Sequence, residues 1–216
     1  MIASEEQARA YVAGLADPPA IARLDRLVAM LRAENQRQNL VSAATLPDIW
    51  RRHVADSAQL LTFVPRGTSG PWLDLGTGAG FPGLVIAALA PAFDVCLIES
   101  RRKRADWLEY ACRELKLEHC RVIGKRLELV ESFAARIISA RAFAPLPELL
   151  ELSGRFSTAG TLWLLPKGQS AAQELAELPE SKRRLFHVEQ SRTQSEAGII
   201  VGRLAPSRSE KVRRSA

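Results

Sequence analysis

The feature that most constrains the fold is an alternation of short apolar runs with helical stretches from residue 71 onward. Short apolar strands separated by helices are typical of an α/β fold, with a parallel sheet covered by helices on both faces. The last two runs have no helix between them, so we expect them to pair antiparallel and to make the sheet mixed. Strands are predicted at residues 72–75, 95–98, 121–123, 137–139, 161–165, 185–188 and 199–201.

The first 66 residues have a different pattern and predict helices. Ser4 with Gln7 forms a capping box, and Asp17 stands before two prolines in the manner of a helix cap. A third helix is predicted to begin at the cap Thr45 and to end before Pro65. The expected organisation is an N-terminal helical extension (1–66), an α/β domain (67–205) and a basic flexible tail (206–216).

The composition is that of a folded globular chain. Of 216 residues, 47% are hydrophobic and 25% are charged, which excludes wholesale disorder. The net charge of +6 favours a polyanionic partner, although solubility alone can account for such an excess. Cys96, Cys112 and Cys120 form no CxxC pair, so neither a disulfide framework nor a zinc site is predicted, and no metal is expected.

The amino terminus does not resemble a secretory signal, because residues 1–6 are acidic and lack a basic segment followed by an apolar one. The longest apolar stretch, residues 84–90, is far too short to span a bilayer. We therefore expect a cytoplasmic protein with no membrane partner, and we expect it to be a monomer.

A glycine-rich loop follows the first predicted strand, where Asp74 leads into Gly76, Gly78 and Gly80. Glycines there allow a sharp turn and a close approach of the backbone to a ligand. Glu99 ends the next strand, where a carboxylate can accept hydrogen bonds from both hydroxyls of a ribose. The pattern predicts a site for an adenosine-containing cofactor, and the alternative is a glycine-rich turn without a ligand.

The loop also matches the dinucleotide pattern GxGxxG at residues 78–83, so NAD has to be considered. Two features count against it. Asp74 would repel a pyrophosphate but suits the ammonium of a methionine moiety, and the match begins beyond the strand end instead of at it. S-adenosylmethionine carries a positive sulfonium and no phosphate, so it is the better fit.

The loop together with segments along most of the chain resembles the RsmG (GidB) family of ribosomal RNA small-subunit methyltransferases. The glycine loop alone is shared by many methyltransferases, whereas its combination with the segments upstream and downstream is much more specific. The segments that carry the resemblance are residues 39–42, 52–57, 74–83, 97–103, 126–128, 140–146 and 167–169.

The resemblance implies a class I S-adenosylmethionine-dependent methyltransferase, Rossmann-like with a mixed seven-stranded sheet, that methylates N7 of a guanine in 16S ribosomal RNA. It implies that Gly76 and Phe81 line the cofactor, that Leu127 and Glu128 lie by the adenine, and that Arg141 closes the site. The chain departs from the family at Arg136, where an Asp usually opens the fourth strand.

The chemistry of N7 agrees with what the sequence lacks. Guanine N7 has a free lone pair, so the enzyme must supply placement and a matched field more than a general base. Residues 139–142 read Ser-Ala-Arg-Ala where amino-group methyltransferases commonly carry an Asn/Asp-Pro-Pro-aromatic segment. No cysteine is predicted at a strand end facing the site, which counts against carbon-5 methylation.

Basic side chains are the candidates for contact with RNA. Arginine suits guanine because its planar fork can donate to O6. Arg141 is the first candidate, with a structural salt bridge to Glu128 as its alternative; for His53 a partly buried structural role is favoured over catalysis. The predicted RNA contacts are Arg52, His53, Arg101, Arg102, Arg141 and Lys167, and further basic runs lie at 182–184 and 208–214.

Three other functions stay open at this point. One keeps the cofactor but replaces the RNA with a small molecule or a protein. Another is a nicotinamide oxidoreductase, which lacks support at the glycine loop. The third is a non-enzymatic RNA-binding module, which would leave the glycine loop unexplained. The leading hypothesis has 16S ribosomal RNA, or a precursor of the small subunit, as its partner.

Overall fold

A seven-stranded sheet forms the centre of the molecule. The structure is a computed structural model that describes residues 1–205. The basic tail predicted at residues 206–216, with its run at 208–214, lies outside the described residues. The strands are β1 (Gly70–Leu75), β2 (Phe93–Ile98), β3 (Cys120–Ile123), β4 (Ile137–Ala140), β5 (Leu162–Gly168), β6 (Phe186–Gln190) and β7 (Gly198–Gly202).

The strand order is β3-β2-β1-β4-β5-β7-β6. The first five strands of the chain pair parallel to one another, whereas β7 is antiparallel to both β5 and β6. The predicted mixed sheet of seven strands is therefore confirmed. The order reverses between β1 and β4, and ligands of open α/β sheets bind at such a reversal, outside the carboxyl ends of the strands.

Helices cover both faces of the sheet, as predicted from the alternating pattern. In the region between residues 42 and 64 the helical segments are short and of mixed geometry. The α-helices are α1 (Glu5–Ala13), α2 (Pro18–Glu34), α3 (Asp56–Ala58), α4 (Gly83–Leu89), α5 (Arg102–Glu114), α6 (Leu146–Ser153), α7 (Ala171–Ala176) and α8 (Glu180–Arg183).

The predicted third helix differs from expectation. It was expected to begin at Thr45, but that residue ends an isolated 3-10 turn. The helical segment begins instead at Trp50 with π-helical turns. These pass into α3 and then into a 3-10 segment that ends at Phe63. The reason lies in α1, where the Glu5 carboxylate accepts hydrogen bonds from the backbone N–H groups of Trp50 and Arg51 at 2.9 and 2.7 Å. This acceptor satisfies the free donors of the helical start, which is the role of a capping residue.

Two hydrophobic clusters lie on the two faces of the sheet. Successive residues of a strand point to opposite faces, so Trp72 of β1 belongs to one cluster and Leu73 to the other. The first cluster also contains Leu24 and Leu31 of α2 and Val54 of the third helical segment. The N-terminal helices thus bury their apolar faces against the sheet, although the proposed boundary at residue 66 remains a prediction.

Within residues 1–205 none of the helices has both the length and the apolar character needed to cross a bilayer. Arg136, where the sequence departs from the family pattern, lies at the entry to β4, where its N–H donates to Pro71 O at 2.8 Å. That position is at the opposite end of the strand from the glycine loop, so the departure does not alter the loop.

Candidate active site

The glycine loop leaves the carboxyl end of β1 and is held by the carboxylate that ends β2. The two oxygens of Glu99 accept hydrogen bonds from the N–H of Gly78 at 3.0 Å and the N–H of Arg101 at 2.8 Å. Glu99 is buried. Its side chain therefore fixes the loop and the start of α5 relative to each other, and the predicted contact of this carboxylate with a ribose remains a prediction.

Gly76 opens the loop in a left-handed conformation, with φ of 59°. A Cβ atom at this position would lie 2.3 Å from the ring of Phe143, which is closer than any real contact. Both the conformation and the space therefore require glycine here. The backbone of Gly76 and the Phe143 ring lie directly against each other, and both line the cavity described next.

A cavity of about 390 Å³ lies between the glycine loop and the segments that follow β2, β3 and β4. We name it the glycine-loop cavity; Gly76, Glu99, Arg101, residues 125–128 and residues 142–144 line it. Leu127 is buried beside it and Glu128 is exposed. Arg155 supports this wall, because its guanidinium donates to Leu127 O and to Val130 O.

Asp74, which the sequence suggested as a partner for a cofactor ammonium, does not line the glycine-loop cavity. Its side chain is fully buried, and its carboxylate accepts hydrogen bonds from the Ser139 hydroxyl at 2.6 Å and from the N–H of Gly83 at 3.0 Å. Burial raises the pKa of Asp74 to about 6, and these hydrogen bonds oppose the shift. Asp74 thereby joins β1, β4 and the start of α4, while its predicted contact with a cofactor ammonium remains untested.

Gly80 and Phe81 turn toward the interior. A Cβ on Gly80 would meet Leu84 at 2.3 Å, and the ring of Phe81 is buried against the His53 ring with centroids 5.0 Å apart. The guanidinium of Arg141 also lies over the Phe81 ring, 5.4 Å from its centroid. The loop thus supports His53 and Arg141, two of the residues that the sequence singled out for the RNA.

His53 is neutral and holds Arg141. Burial, followed by the positive charges of Arg141 and Arg52, lowers the pKa of His53 to about 3. Arg141 can only donate, so Nδ1 of His53 accepts at 3.1 Å and its Nε2–H donates to the Thr45 hydroxyl at 2.9 Å. This arrangement agrees with the favoured structural role of His53, because both ring nitrogens are engaged in hydrogen bonds within the protein.

The expected partner of Arg141 was wrong. The sequence suggested Glu128, but the guanidinium pairs with Asp56, with Nη1 and Oδ2 3.5 Å apart. Asp56 comes from the third helical segment, one turn after Arg52, whose carbonyl also lies 3.4 Å from Arg141 Nη1. Glu128 lines the glycine-loop cavity whereas Arg141 lines a second cavity, so spacing along the chain did not reveal the true pair.

A second cavity, of about 740 Å³, lies across residues 142–144 from the first. We name it the paired-charge cavity, because the Arg141–Asp56 pair and a Lys167–Glu174 pair at 2.8 Å both lie in its wall. Lys167 is nearly buried and also donates to Ala144 O at 2.6 Å. Its lining comes from residues 52–56, 141–145, 166–170, 174 and 191–199.

The remaining predicted contacts are distributed unequally. Arg52 lines the paired-charge cavity and Arg101 lines the glycine-loop cavity. Arg102 lines neither of these two cavities; its exposed side chain donates to Asp106 one helical turn further along at 2.7 Å. The structure therefore brings together most of the predicted residues around the two cavities. The predicted residues that line neither cavity are Asp74, Gly78, Gly80, Phe81 and Arg102.

Sequence reasoning missed Asp56, Phe143, Glu174 and Thr193. Asp56 stands three and four residues after His53 and Arg52, a helical spacing that could have placed it on the same face. Thr193 donates its hydroxyl to Asp56 Oδ1 at 2.7 Å. No local signal pointed to Thr193, because it lies in the connection between β6 and β7 and meets Asp56 only in the folded chain.

Sequence comparison finds close relatives of this chain among known proteins. A relative from Erythrobacter litoralis, named ribosomal RNA small subunit methyltransferase G, is 61% identical over 94% of this chain and 98% of its own. A relative of the same name from Novosphingobium aromaticivorans is 56% identical over 94% of this chain and 90% of its own.

Solved structures show the same fold at low sequence identity. A methyltransferase from Geobacter sulfurreducens has a TM-score of 0.57 and 18% identity, covering 91% of this chain and 94% of its own. A SAM-dependent methyltransferase from Aquifex aeolicus has a TM-score of 0.53 and 14% identity, covering 72% and 91%. The expected class I methyltransferase fold is confirmed by these likenesses and by the sheet.

The family model described as rRNA small subunit methyltransferase G matches residues 20–198. That range includes the glycine loop, Glu99, Arg141 and both charge pairs of the second cavity. Because the match spans most of the chain, and the relatives are more than half identical over nearly their whole length, the chain belongs to the rRNA small subunit methyltransferase G family.

Proposed function

We propose that this chain transfers a methyl group from S-adenosylmethionine to N7 of a guanine in 16S ribosomal RNA. The observation that carries the proposal is the pair of cavities that share residues 142–144 as a common wall. A methyl donor in one cavity and a base in the other would meet beside Arg141. Family membership supports the reaction class and the ribosomal RNA substrate.

The glycine-loop cavity has the features that the cofactor needs. Its volume of about 390 Å³ lies in the range of small-molecule sites. Backbone at Gly76 reaches the cavity without a Cβ, and Glu99 offers carboxylate oxygens for hydroxyl groups once the loop adjusts. We propose that Leu127 and Glu128 lie by the adenine. When bound, S-adenosylmethionine supplies an electrophilic methyl group on a positive sulfonium.

The paired-charge cavity would take the base. Arg141 and Lys167 line it with donors suited to guanine O6, and each has a carboxylate partner that limits its free charge. Arg52 lies at the same wall and comes from the helical extension, which we propose acts together with the α/β domain at this site. His53 contributes by holding Arg141 in place.

This chain would accelerate the transfer by placement. N7 of guanine needs no deprotonation before it attacks, so the reaction requires no general base. The neutral state of His53, whose pKa of about 3 lies far below neutrality, fits that requirement. Arg141 can donate to O6 while N7 is directed toward the shared wall.

The outer contacts with RNA would come from the basic residues at the start of α5. Arg101 lines the glycine-loop cavity, and Arg102 is exposed next to it on the outer surface of α5, so both can meet phosphates. We propose that the partner is 16S ribosomal RNA within the small subunit or its precursor, and that the chain acts as a monomer in the cytoplasm, where that partner is found.

The proposal is tested with small ribosomal subunits from cells that lack the gene. Subunits are incubated with the purified protein and S-adenosylmethionine carrying a labelled methyl group, and the RNA is digested and analysed by mass spectrometry. We expect label in 7-methylguanosine at a single position of 16S RNA. Transfer to another atom, to large-subunit RNA, or to no RNA at all would contradict it. Subunits from cells that retain the gene serve as the already methylated control.

A further inference from the structure

Asp56 has an acceptor oxygen that the fold leaves largely free. Its Oδ1 accepts hydrogen bonds from the Thr193 hydroxyl at 2.7 Å and from Gln59 Nε2 at 2.9 Å. Among residues 1–205, the polar contact of its Oδ2 is with Arg141 at 3.5 Å, which is longer than an ordinary hydrogen bond between charged groups. The carboxylate is thus fixed through one oxygen while the other lines the paired-charge cavity.

The other carboxylate of that cavity has no such oxygen. Glu174 Oε1 accepts from the Ser170 hydroxyl at 2.7 Å, and Oε2 accepts from the N–H of Leu146 at 2.9 Å and from Lys167 at 2.8 Å. The hydrogen bond and charge of Lys167 help lower the pKa of Glu174 despite its burial. Both oxygens of Glu174 are therefore occupied by contacts within the protein, whereas Asp56 keeps one oxygen largely free.

The free oxygen of Asp56 and the fork of Arg141 make an acceptor beside a donor. The Watson–Crick edge of guanine presents the complement, because O6 accepts while the adjacent N1–H and 2-amino group donate. Adenine presents the opposite order, with an amino donor at C6 and an acceptor at N1. A buried site that is built to bond a substrate's N–H groups discriminates strongly against a base that lacks them.

We infer that Asp56 determines specificity for guanine, with Oδ2 accepting from N1–H and the 2-amino group while Arg141 donates to O6. The inference rests on the proposed function, since it assigns the base-reading contacts of that same cavity. O6 lies between N1 and N7 along the base. A guanine held at N1 and O6 therefore keeps N7 free for the methyl donor.

The position of Asp56 suits this role in a second respect. Its side chain is 15% exposed, so a bound base would cover it and exclude water from its hydrogen bonds. The support from Thr193 and Gln59 comes from two different parts of the chain. The carboxylate is thus oriented before a base arrives, which lowers the entropy that binding has to remove.

The test compares guanine with hypoxanthine, which lacks only the 2-amino group. Small subunits are reconstituted with either base at the methylated position, and kcat/KM is measured for the wild-type protein and for Asp56→Asn. Wild type should prefer guanine by roughly ten- to a hundredfold. In Asp56→Asn, where an amide donor replaces the free acceptor, the rate on guanine should fall at least tenfold and the preference should shrink to within about threefold of unity.

Two further variants keep the result interpretable. Glu174→Gln changes a carboxylate of the same cavity whose oxygens are occupied, and it should keep the wild-type ratio between the two bases whatever it does to the rates. Thr193→Val removes one support of Asp56 without changing its charge, and it should lower the ratio partially. It also serves if Asp56→Asn does not fold.

A loss in Asp56→Asn that is equal for guanine and hypoxanthine would overturn the inference, because a merely structural residue gives that result. So would a wild-type enzyme that methylates both bases equally well. Failure of the proposed function is a different outcome, in which the wild-type protein methylates no guanine of the small subunit. Calorimetric titration with S-adenosylmethionine should show an affinity within about threefold of wild type in Asp56→Asn.

Discussion

The two cavities on either side of residues 142–144 are built by different means. The glycine-loop cavity has one wall of backbone, where Gly76 admits no side chain and Glu99 is bonded to two N–H groups. The paired-charge cavity is walled by two ion pairs whose members come from different segments. A site made of backbone depends on local conformation, whereas a site made of ion pairs depends on the packing of distant segments.

The largest expected effect is in the cavity built from side chains. Arg141→Lys keeps the charge but loses the planar fork that reaches His53 and Asp56 together. We expect kcat/KM on small subunits to fall about a hundredfold, which corresponds to about 2.7 kcal/mol, and the affinity for S-adenosylmethionine to change less than tenfold. Arg26→Lys, in a surface pair with Glu114, is the matched control. A loss confined to cofactor affinity would mean that Arg141 acts on the cofactor and not on the base, and it would contradict the roles proposed for the two cavities.

The neutral His53 makes the same cavity sensitive to acid. Its pKa is lowered to about 3 in the folded protein from about 6.5 when unfolded. Below pH 6.5 the unfolded state therefore binds a proton that the folded state rejects, and stability is lost as the pH falls toward 3. Between pH 7 and pH 5 the expected loss is about 2 kcal/mol.

Asp74 acts in the opposite direction, because its raised pKa of about 6 makes the folded state the better proton acceptor between about pH 3.8 and 6. Denaturant titrations of wild type and His53→Gln at several pH values separate the two contributions, since Asp74 is common to both proteins. The free energy of unfolding of wild type minus that of His53→Gln should decrease as the pH falls. A difference that does not change with pH would show that His53 is not held neutral by the fold.

The backbone-built cavity should respond to a single methyl group. Gly76→Ala introduces a Cβ atom at the ring of Phe143, whereas Gly67→Ala, with a similar φ of 74°, meets nothing within 4 Å. Both variants should lose about 1 kcal/mol of stability through the left-handed conformation, and Gly76→Ala should lose more because its Cβ would clash with Phe143. Only Gly76→Ala should weaken S-adenosylmethionine binding, by about tenfold in calorimetry. Equal affinities in the two variants would mean that the loop backbone does not meet the cofactor.

The smallest effect is expected outside both cavities. Arg102→Ala removes an exposed side chain whose pair with Asp106 contributes little to stability. Affinity for small subunits should fall a fewfold, and the slope of log affinity against log salt should decrease by about one. Arg26→Ala, in a pair at the other end of α5, should leave that slope unchanged. An unchanged slope in Arg102→Ala would remove this residue from the RNA surface.

The same contrast explains what the sequence could predict. The strands, the order of helices and the glycine loop are encoded in runs of neighbouring residues, and Gly76 and Glu99 could be found from the turn that their spacing requires. Arg141 was found as a residue, but its partner was not. Asp56, 85 residues earlier, reaches it only because the third helical segment packs beside β4, and no local period carries that information.

The start of the third helical segment was misplaced for a related reason. Thr45 has the residue type and the following proline of a helix cap, and local pattern alone favours it. In the folded chain its hydroxyl accepts from His53 and donates to Ser42 O. The acceptor for the first turn comes instead from Glu5, a residue 45 positions away from Trp50. Tertiary contact here overrides a correct local preference.

The contact of Glu5 with the backbone of Trp50 and Arg51 ties the opening residues of the chain to the turn that carries Arg52, His53 and Asp56. No residue of the first helix lines either cavity, yet its Glu5 carboxylate holds the start of the segment from which those three side chains reach the paired-charge cavity. A chain shortened by six residues, or one with a bulky affinity tag fused at Met1, would accordingly resemble an active-site mutant in its kinetics while every residue of the site remained in place.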